Sequence, residues 1–130
     1  MFSELELAFL RSQRLARIAT VDGHGQPTVD AVGFSLDNGQ ILVGTHSPVV
    51  TRKYRNVMDG HSKVALIVDD LQSVQPWRPR GVKIHGVAAV EERSGHFGPG
   101  TYIVITPTVS WSWGIEAQQG APGPKKTVWR

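Results

Sequence analysis

The stretch RLARIATVDGHGQPTVDAVGFSLDNGQILVGT, residues 14–45, decides the fold. It holds three apolar runs of strand length, RLARIATV (14–21), TVDAVGFSL (28–36) and QILVGT (40–45). The turn-rich DGHGQP separates the first two, and Asn38-Gly39 separates the second and third. Asn-Gly tolerates the positive φ of a two-residue hairpin turn, so the three runs read as antiparallel strands joined by hairpins.

Outward from this block the pattern continues. Upstream, Ser3 and Glu6 form a capping box ahead of LELAFL, an apolar face for a short first helix. Downstream, HSPVVTRKYRN (46–56) reads as a short basic helix from about Pro48 to Met58, capped by Ser47 or Thr51 and closed by DGHS. KVALIVDD (63–70), GVKIHGVAAVEE (81–92) and TYIVITPTVSWSWGI (101–115) are further strands, the last broken or bent at Pro107. Six or seven short antiparallel strands with two small helices make a mainly β domain, a barrel or sandwich, over residues 1–116. Residues 117–130, rich in Gly, Pro and Gln, read as a flexible tail in which only Trp129 is out of character.

Composition narrows the function classes. A chain of 130 residues suffices for one core. Without cysteine there is no disulfide scaffold and no thiol chemistry. No apolar run reaches the roughly 18 residues of a membrane span, and MFSELELAFL lacks the pattern of an export signal. The expected location is the cytoplasm. The net charge is +3, yet three of the 14 cations lie in GPKKTVWR, and the other 11 match 11 acids. That is too little for the continuous basic face of a nucleic-acid binder.

Three segments carry candidate chemistry. At the basic helix, Arg52, Lys53 and Arg55 crowd an end that is already partly positive, which is unfavourable unless an anion sits with them. The alternative is that they face solvent and pair with Asp59 or a neighbouring loop. In DDLQSVQPWRPRG (69–81), read as a long polar link between strands, Trp77 stands among prolines with Arg78 and Arg80 beside it. Such a group suits a planar anionic ligand or a subunit interface, or else a rigid loop over a sheet end. In TPTVSWSWGIE (106–116), Val109, Trp111 and Trp113 alternate with serines, so both indoles share one strand face as core or as a wall for a ring-shaped ligand. The five histidines show no metal-binding spacing, and Asp69 and Asp70, adjacent on a strand, point oppositely, so no metal site is expected. Nucleophile-elbow, P-loop and GxGxxG patterns are absent.

The order of these elements resembles the flavin and deazaflavin split-barrel family, the fold of pyridoxamine 5'-phosphate oxidase. RLARIATVDGHGQPTVDAVGF, GTHSPVVTRKYRNV and KVALIVDD carry the likeness. VDDLQSVQPWRPRGVKIHGVA and ITPTVSWSWGIE are similar to the F₄₂₀-dependent branch that contains the OxyR-type dehydrotetracycline reductases. The resemblance covers residues 4–116. It implies a six-stranded antiparallel split β-barrel that forms a homodimer with two cofactor sites at the interface. Arg52 and Lys53 would hold the cofactor phosphate. Ala31, Val32, Gly33 and Phe34 would run beside the tricyclic ring, and Thr45 and His46 would lie near the ribityl chain. Trp77, Arg78, Trp111 and Trp113 would line the substrate pocket, partly across the dimer.

The function so implied is hydride transfer from reduced coenzyme F₄₂₀, an 8-hydroxy-5-deazaflavin, to an activated C=C bond of a polycyclic or similar enone, with tetracycline-like polyketide biosynthesis as the expected setting. FMN chemistry on the same fold is one alternative, and a non-catalytic cofactor-binding or sequestering module is another. No residue is assigned to catalysis; His46 and Tyr54 are the candidates for proton delivery. Two features depart from the branch pattern: a carboxylate at Asp30, and an extra tryptophan in SWSWG.

Overall fold

The computed structural model describes residues 1–44, 51–116 and 123–130. Helix α1 (Glu4–Ser12) leads into strands β1 (Leu15–Val21), β2 (Pro27–Asp37) and β3 (Gln40–Gly44), followed by helix α2 (Arg52–Met58). Strands β4 (Lys63–Ser73), β5 (Arg78–Gly95), β6 (Gly98–Trp113) and β7 (Lys125–Val128) complete the chain. Every strand pairing is antiparallel. The order is β3-β2-β1-β4-β5-β6-β7, and a β3–β6 pairing closes the first six strands into a barrel. The tight β2–β3 turn is the one Asn-Gly predicts, with φ of 50° at Asn38 and 83° at Gly39.

Inward-facing aliphatics fill the barrel, among them Ile18, Val43, Val68, Val82, Ile84 and Ile105, all fully buried. Helix α1 adds Phe9 and Leu10 to this core, and its capping box is formed. Helix α2 adds Val57, while the buried amide of Asn56 donates to Thr20 Oγ1 on β1 at 3.0 Å. That paired amide fixes the helix against the barrel wall, since a buried amide without a partner would be costly.

Pro107 bends β6 as expected. It sits at a register shift, with His85 opposite Val109 and Gly86 opposite Pro107, which leaves Thr108 as the extra residue of a bulge. On one side of the bulge, Tyr102–Ile105 of β6 pair with β3; on the other, Val109–Ser112 pair with β7. The split in the barrel lies here.

In three places the structure differs from the sequence reading. The link expected over 69–81 is mostly strand: β4 runs to Ser73 and β5 starts at Arg78, so only residues 74–77 turn. The polar residues there are the exposed sides of two long hairpin arms, which composition alone cannot tell from a loop. The basic helix begins at Arg52, and residues 45–50 lie outside the described residues. Finally, where a loose tail is expected, Lys125–Val128 form β7, and Trp129 packs edge-on against Phe2 at 4.7 Å and donates its indole N–H to Ser110 Oγ at 3.0 Å. The apolar contacts of Trp129 anchor residues 125–129; residues 117–122 are outside the described residues.

Candidate functional site

Arg52 and Lys53 open α2, whose first turn holds no acid and whose Thr51 makes no side-chain cap bond. Neither cation forms an ion pair among the described residues, so the pairing with Asp59 does not occur there. Arg52 faces the β1–β2 turn closely enough to act on Asp22, whose carboxylate is held below its ordinary range first by the backbone N–H of Gln26, then by that of His24.

That turn leads into β2, and β2 outruns its neighbour. Residues Phe34–Asp37 pair with β3, whereas Pro27–Gly33 pair only with β1, so along this stretch the second edge of β2 meets no strand among the described residues. On an antiparallel strand alternate residues turn their N–H and C=O to each edge, and the chain that would continue the β3 register opposite Val32 and Ala31, residues 45 and 46, lies outside the described residues. Ala31 and Gly33 face outward, opposite in sense to buried Val32. Asp30 shares the sense of Val32, opposite to Ala31 and Gly33.

At the far end of this edge, the β5–β6 hairpin tip folds over the strand. A Cβ on Gly33 would lie 3.0 Å from His96 Nε2, and one on Gly44 would lie 2.5 Å from the Phe97 ring. Both glycines thus make room for aromatic rings. Burial holds the His96 imidazole below its ordinary range. Nearby, the buried Ser35 hydroxyl has no hydrogen-bond partner among the described residues.

The tryptophan face turns out to be external. Ser110 and Ser112 point inward and are buried, while Trp111 and Trp113 lie half-buried on the outer wall. The expectation of a core role for these indoles is therefore corrected: small serines fit beneath the crossing of β5 and β6, where two indoles would overfill. Trp113 lies across Gly81, where a Cβ would come within 2.3 Å of its ring. Trp111 carries Lys83 Nζ 4.5 Å from its ring centroid and meets His85 edge-on at 4.8 Å. His85 also lines a cleft of about 500 Å³ with Thr20, Lys63 and Val87, and Lys83 lines an adjoining one of about 220 Å³ with Arg17, Val29 and Ile67.

Comparison with known proteins turns this geometry into an assignment. The family model described as pyridoxamine 5'-phosphate oxidase matches residues 2–130. The chain belongs to the pyridoxamine 5'-phosphate oxidase family. It is 36% identical over 122 residues to the 5a,11a-dehydrotetracycline/5a,11a-dehydrooxytetracycline reductase of Streptomyces rimosus, an alignment that covers 88% of this chain and 84% of that one. In structure it is similar to a conserved hypothetical protein of Mycobacterium tuberculosis (TM-score 0.70, 21% identity, 95% and 94% of the two chains). It is also similar to a protein titled F420 reductase (TM-score 0.57, 24% identity, 75% and 89%). Both structural likenesses are of fold.

Within this member of the pyridoxamine 5'-phosphate oxidase family, the residues singled out from sequence fall into two groups. Arg52 faces the β1–β2 turn and Lys53 follows it on α2, Ala31–Phe34 lie further along β2, and Thr45 and His46 lie outside the described residues. Trp111 and Trp113 sit on β6; the route to Ala31 through β3 meets β6 at Tyr102–Ile105, at least six positions from Trp111, and the row through Trp111 reaches Ala31 across β5, β4 and β1. That crossing is about 19 Å of wall at about 4.8 Å per strand, so one chain does not bring the two groups into one pocket. Trp77, 66% exposed, and Arg78 occupy the β4–β5 turn. Their neighbour Arg80 is committed elsewhere, donating to both oxygens of Asp70 at 2.9 and 2.6 Å beneath Phe9. Asp69 and Asp70 diverge as predicted, Asp69 to Arg17 and Asp70 to Arg80, and the described residues hold no metal-binding cluster. Also among the described residues, no helix is long and apolar enough to cross a membrane. Sequence reading missed Lys83, His85 and His96. The alternation in GVKIHGV puts Lys83 and His85 on one face, but only the bulge-shifted register shows that this face meets Trp111.

Proposed function

We propose that the protein is a cytoplasmic reductase that binds reduced coenzyme F₄₂₀ and passes a hydride to an activated C=C bond of a polycyclic or similar enone, in the manner of a polyketide-tailoring enzyme. One observation supports the reading: Arg52 and Lys53, without ion pairs among the described residues, open α2, and Arg52 faces the turn into β2, within a family of this kind. Arg52 and Lys53 would take a phosphate dianion, and the backbone of Ala31–Phe34 would bond the polar side of a flat ring resting against the outward face at Ala31, beside the His96 ring that lies on Gly33. The 36% identical relative, named for reduction of a dehydrotetracycline, supports the choice of acceptor.

When bound, a reduced deazaflavin supplies a hydride to the β carbon of the enone while the α carbon takes up a proton. The chain's own work is to hold the phosphate, align the ring and exclude water. Thr45 and His46 are proposed to border the ribityl chain, and His46 or Tyr54 to deliver the proton.

We also propose a homodimer. The outer wall of β1, β4 and β5 is a shallow apolar groove through Ala19, Ala65 and Ile67, edged by Val29 (66% exposed) and Val87 (46% exposed). A contiguous apolar surface of this kind marks an interface. A twofold partner seated on it would bring a tryptophan wall from one protomer, with Trp77 and Arg78, towards the β2 edge of the other, and so complete a site that one chain leaves in two halves.

Titration of the purified protein with F₄₂₀ and with FMN tests the cofactor. Micromolar affinity for F₄₂₀ and turnover of an enone are expected. Tight FMN binding with none for F₄₂₀ would favour an FMN enzyme on this fold, and binding without turnover across a broad enone panel would favour a sequestering module. Ultracentrifugation finding only monomers would remove the dimer.

A further inference from the structure

Successive register pairs place one row of residues straight across the outer wall: Arg17 opposite Ile67, Ile67 opposite Lys83, Lys83 opposite Trp111, and Trp111 opposite Lys126. Directly paired residues share a sheet face with Cβ atoms about 5 Å apart. Trp111 is therefore flanked by a lysine on each side, Lys83 from β5 and Lys126 from β7. Arg17 is partly neutralised by Asp69 at 3.4 Å, but no carboxylate pairs with Lys83 or Lys126 among the described residues. Two cations about 10 Å apart repel weakly and hold an indole between them, and the inward serines leave that indole no place in the core. Lys83 Nζ lies over one face of the indole, 4.5 Å from its centroid, so the plane offered for stacking is the opposite face. Beside it, Lys83 overhangs the smaller cleft and His85 the larger one.

We propose that the Lys83–Trp111–Lys126 row is a binding site for a planar polycyclic ligand bearing a delocalised anion, such as the enolate of a fused-ring β-dicarbonyl compound. Trp111 supplies the stacking surface, Lys83 and Lys126 match the charge at the ring edges, and His85 borders the ligand on the groove side. A neutral ring of the same shape gains only the stacking, so the row selects for charge as well as flatness. The identification of this ligand as the enone acceptor rests on the reductase reading; the site itself does not.

Anthraquinone-2-sulfonate, a flat tricyclic anion, and neutral 2-methylanthraquinone serve as probes, with binding to the full chain followed by tryptophan fluorescence without cofactor. The sulfonate is expected to bind at least tenfold more tightly than the neutral ring. Lys83→Met with Lys126→Met should remove that preference, leaving neutral binding unchanged, and Trp111→Ser should weaken both probes. Trp111→Phe keeps a plane and should retain most of the affinity while losing most of the quenching. Equal affinity for the two probes, or sulfonate binding indifferent to the two lysines, overturns the site. Probe binding as expected without enone turnover sinks the reductase reading and leaves the site standing. Turnover with a KM unmoved by Lys83→Met sinks the site as acceptor pocket and leaves the reductase reading intact.

Discussion

Two sets of basic residues in this barrel behave in opposite ways. Arg80 and Arg93 are bound into carboxylates: Arg80 clamps Asp70 with two short bonds, and Arg93 bridges Asp37, Glu91 and the Gln40 amide at 2.9 to 3.1 Å. Arg52 and Lys53 are left without an ion pair among the described residues, on a helix that burial of Asn56 and Val57 holds rigidly. Bound cations tie strands together, whereas Arg52 and Lys53 are spared that task and, under the proposed function, would take an anion from outside. The guanidinium of Arg80 spans β4 and β5 and covers Phe9 of α1; that of Arg93 ties the end of β5 to the β2–β3 hairpin. Nothing comparable is asked of Arg52 and Lys53.

The largest effect that separates the sets is on ligand affinity. Replacing Arg52 and Lys53 together by alanine should weaken cofactor binding by more than about 2 kcal/mol, on the order of thirtyfold, because each charge-assisted contact contributes roughly 1.5 to 3 kcal/mol. Thermal stability should stay within about 0.5 kcal/mol of the parent, as for surface changes that break no internal contact. Calorimetric titration and a melting curve on the same variant check both halves. Unchanged affinity would make these cations surface decoration and erase the contrast.

Arg80→Ala should reverse the pattern. It strands a half-buried carboxylate and uncovers Phe9, so a loss of about 2 kcal/mol in folding stability is expected, with cofactor affinity unchanged, measured by urea unfolding. The pH dependence sharpens it. Asp70 is held below its ordinary range first by hydrogen bonding from Arg80, then by Gln13. A depressed carboxyl stabilises the fold fully above its unfolded value near pH 4, and that contribution disappears as pH falls through the still lower folded value. The gap between the parent and Arg80→Ala should therefore be constant from about pH 5 to 7 and close towards pH 2. A gap that persists at pH 2 would show that Arg80 acts through packing on Phe9 alone.

How much of this was legible beforehand follows from the range of the signals involved. The three hairpin strands and the Asn-Gly turn are local, and the structure keeps them. Closure of the barrel through β3–β6 was readable only from family resemblance, because no local pattern pairs residues 41–44 with 102–105. Between core and ligand wall the sequence leaves the tryptophan face open for a physical reason: alternation shows that Trp111 and Trp113 share a side but is silent about which side, and small serines take the interior. The order of residues 125–129 depends on Phe2 and Ser110 more than a hundred and nearly twenty positions away, so a tail rich in Gly and Pro looked loose. Among the described residues β2 outruns β3, eleven residues against five, a difference in length that no local signal in the sequence carries.

The smallest expected effect tests whether a bound arginine at the rim resembles Arg80 or merely decorates. Arg93 has three partners, but Asp37 and Glu91 are about half exposed (46% and 45%), where water competes for the same bonds. Exposed pairs typically contribute 0.2 to 1 kcal/mol, so Arg93→Ala should lose no more than about 1 kcal/mol. Its position gives it a second readout. The end of β5 that it ties down leads into the tip where His96 and Phe97 lie on Gly33 and Gly44. Burial depresses the His96 imidazole, so protonation below its unfolded value near pH 6.5 opposes the seated tip, and the stability it lends is present above that pH and lost as pH falls through the folded value. If Arg93 holds the tip in place, Arg93→Ala should raise the His96 titration midpoint in an NMR pH series towards 6.5 as the ring gains solvent. An unmoved midpoint would mean that the glycine slots alone seat the tip, leaving Arg80 as the arginine whose pairing shapes the fold.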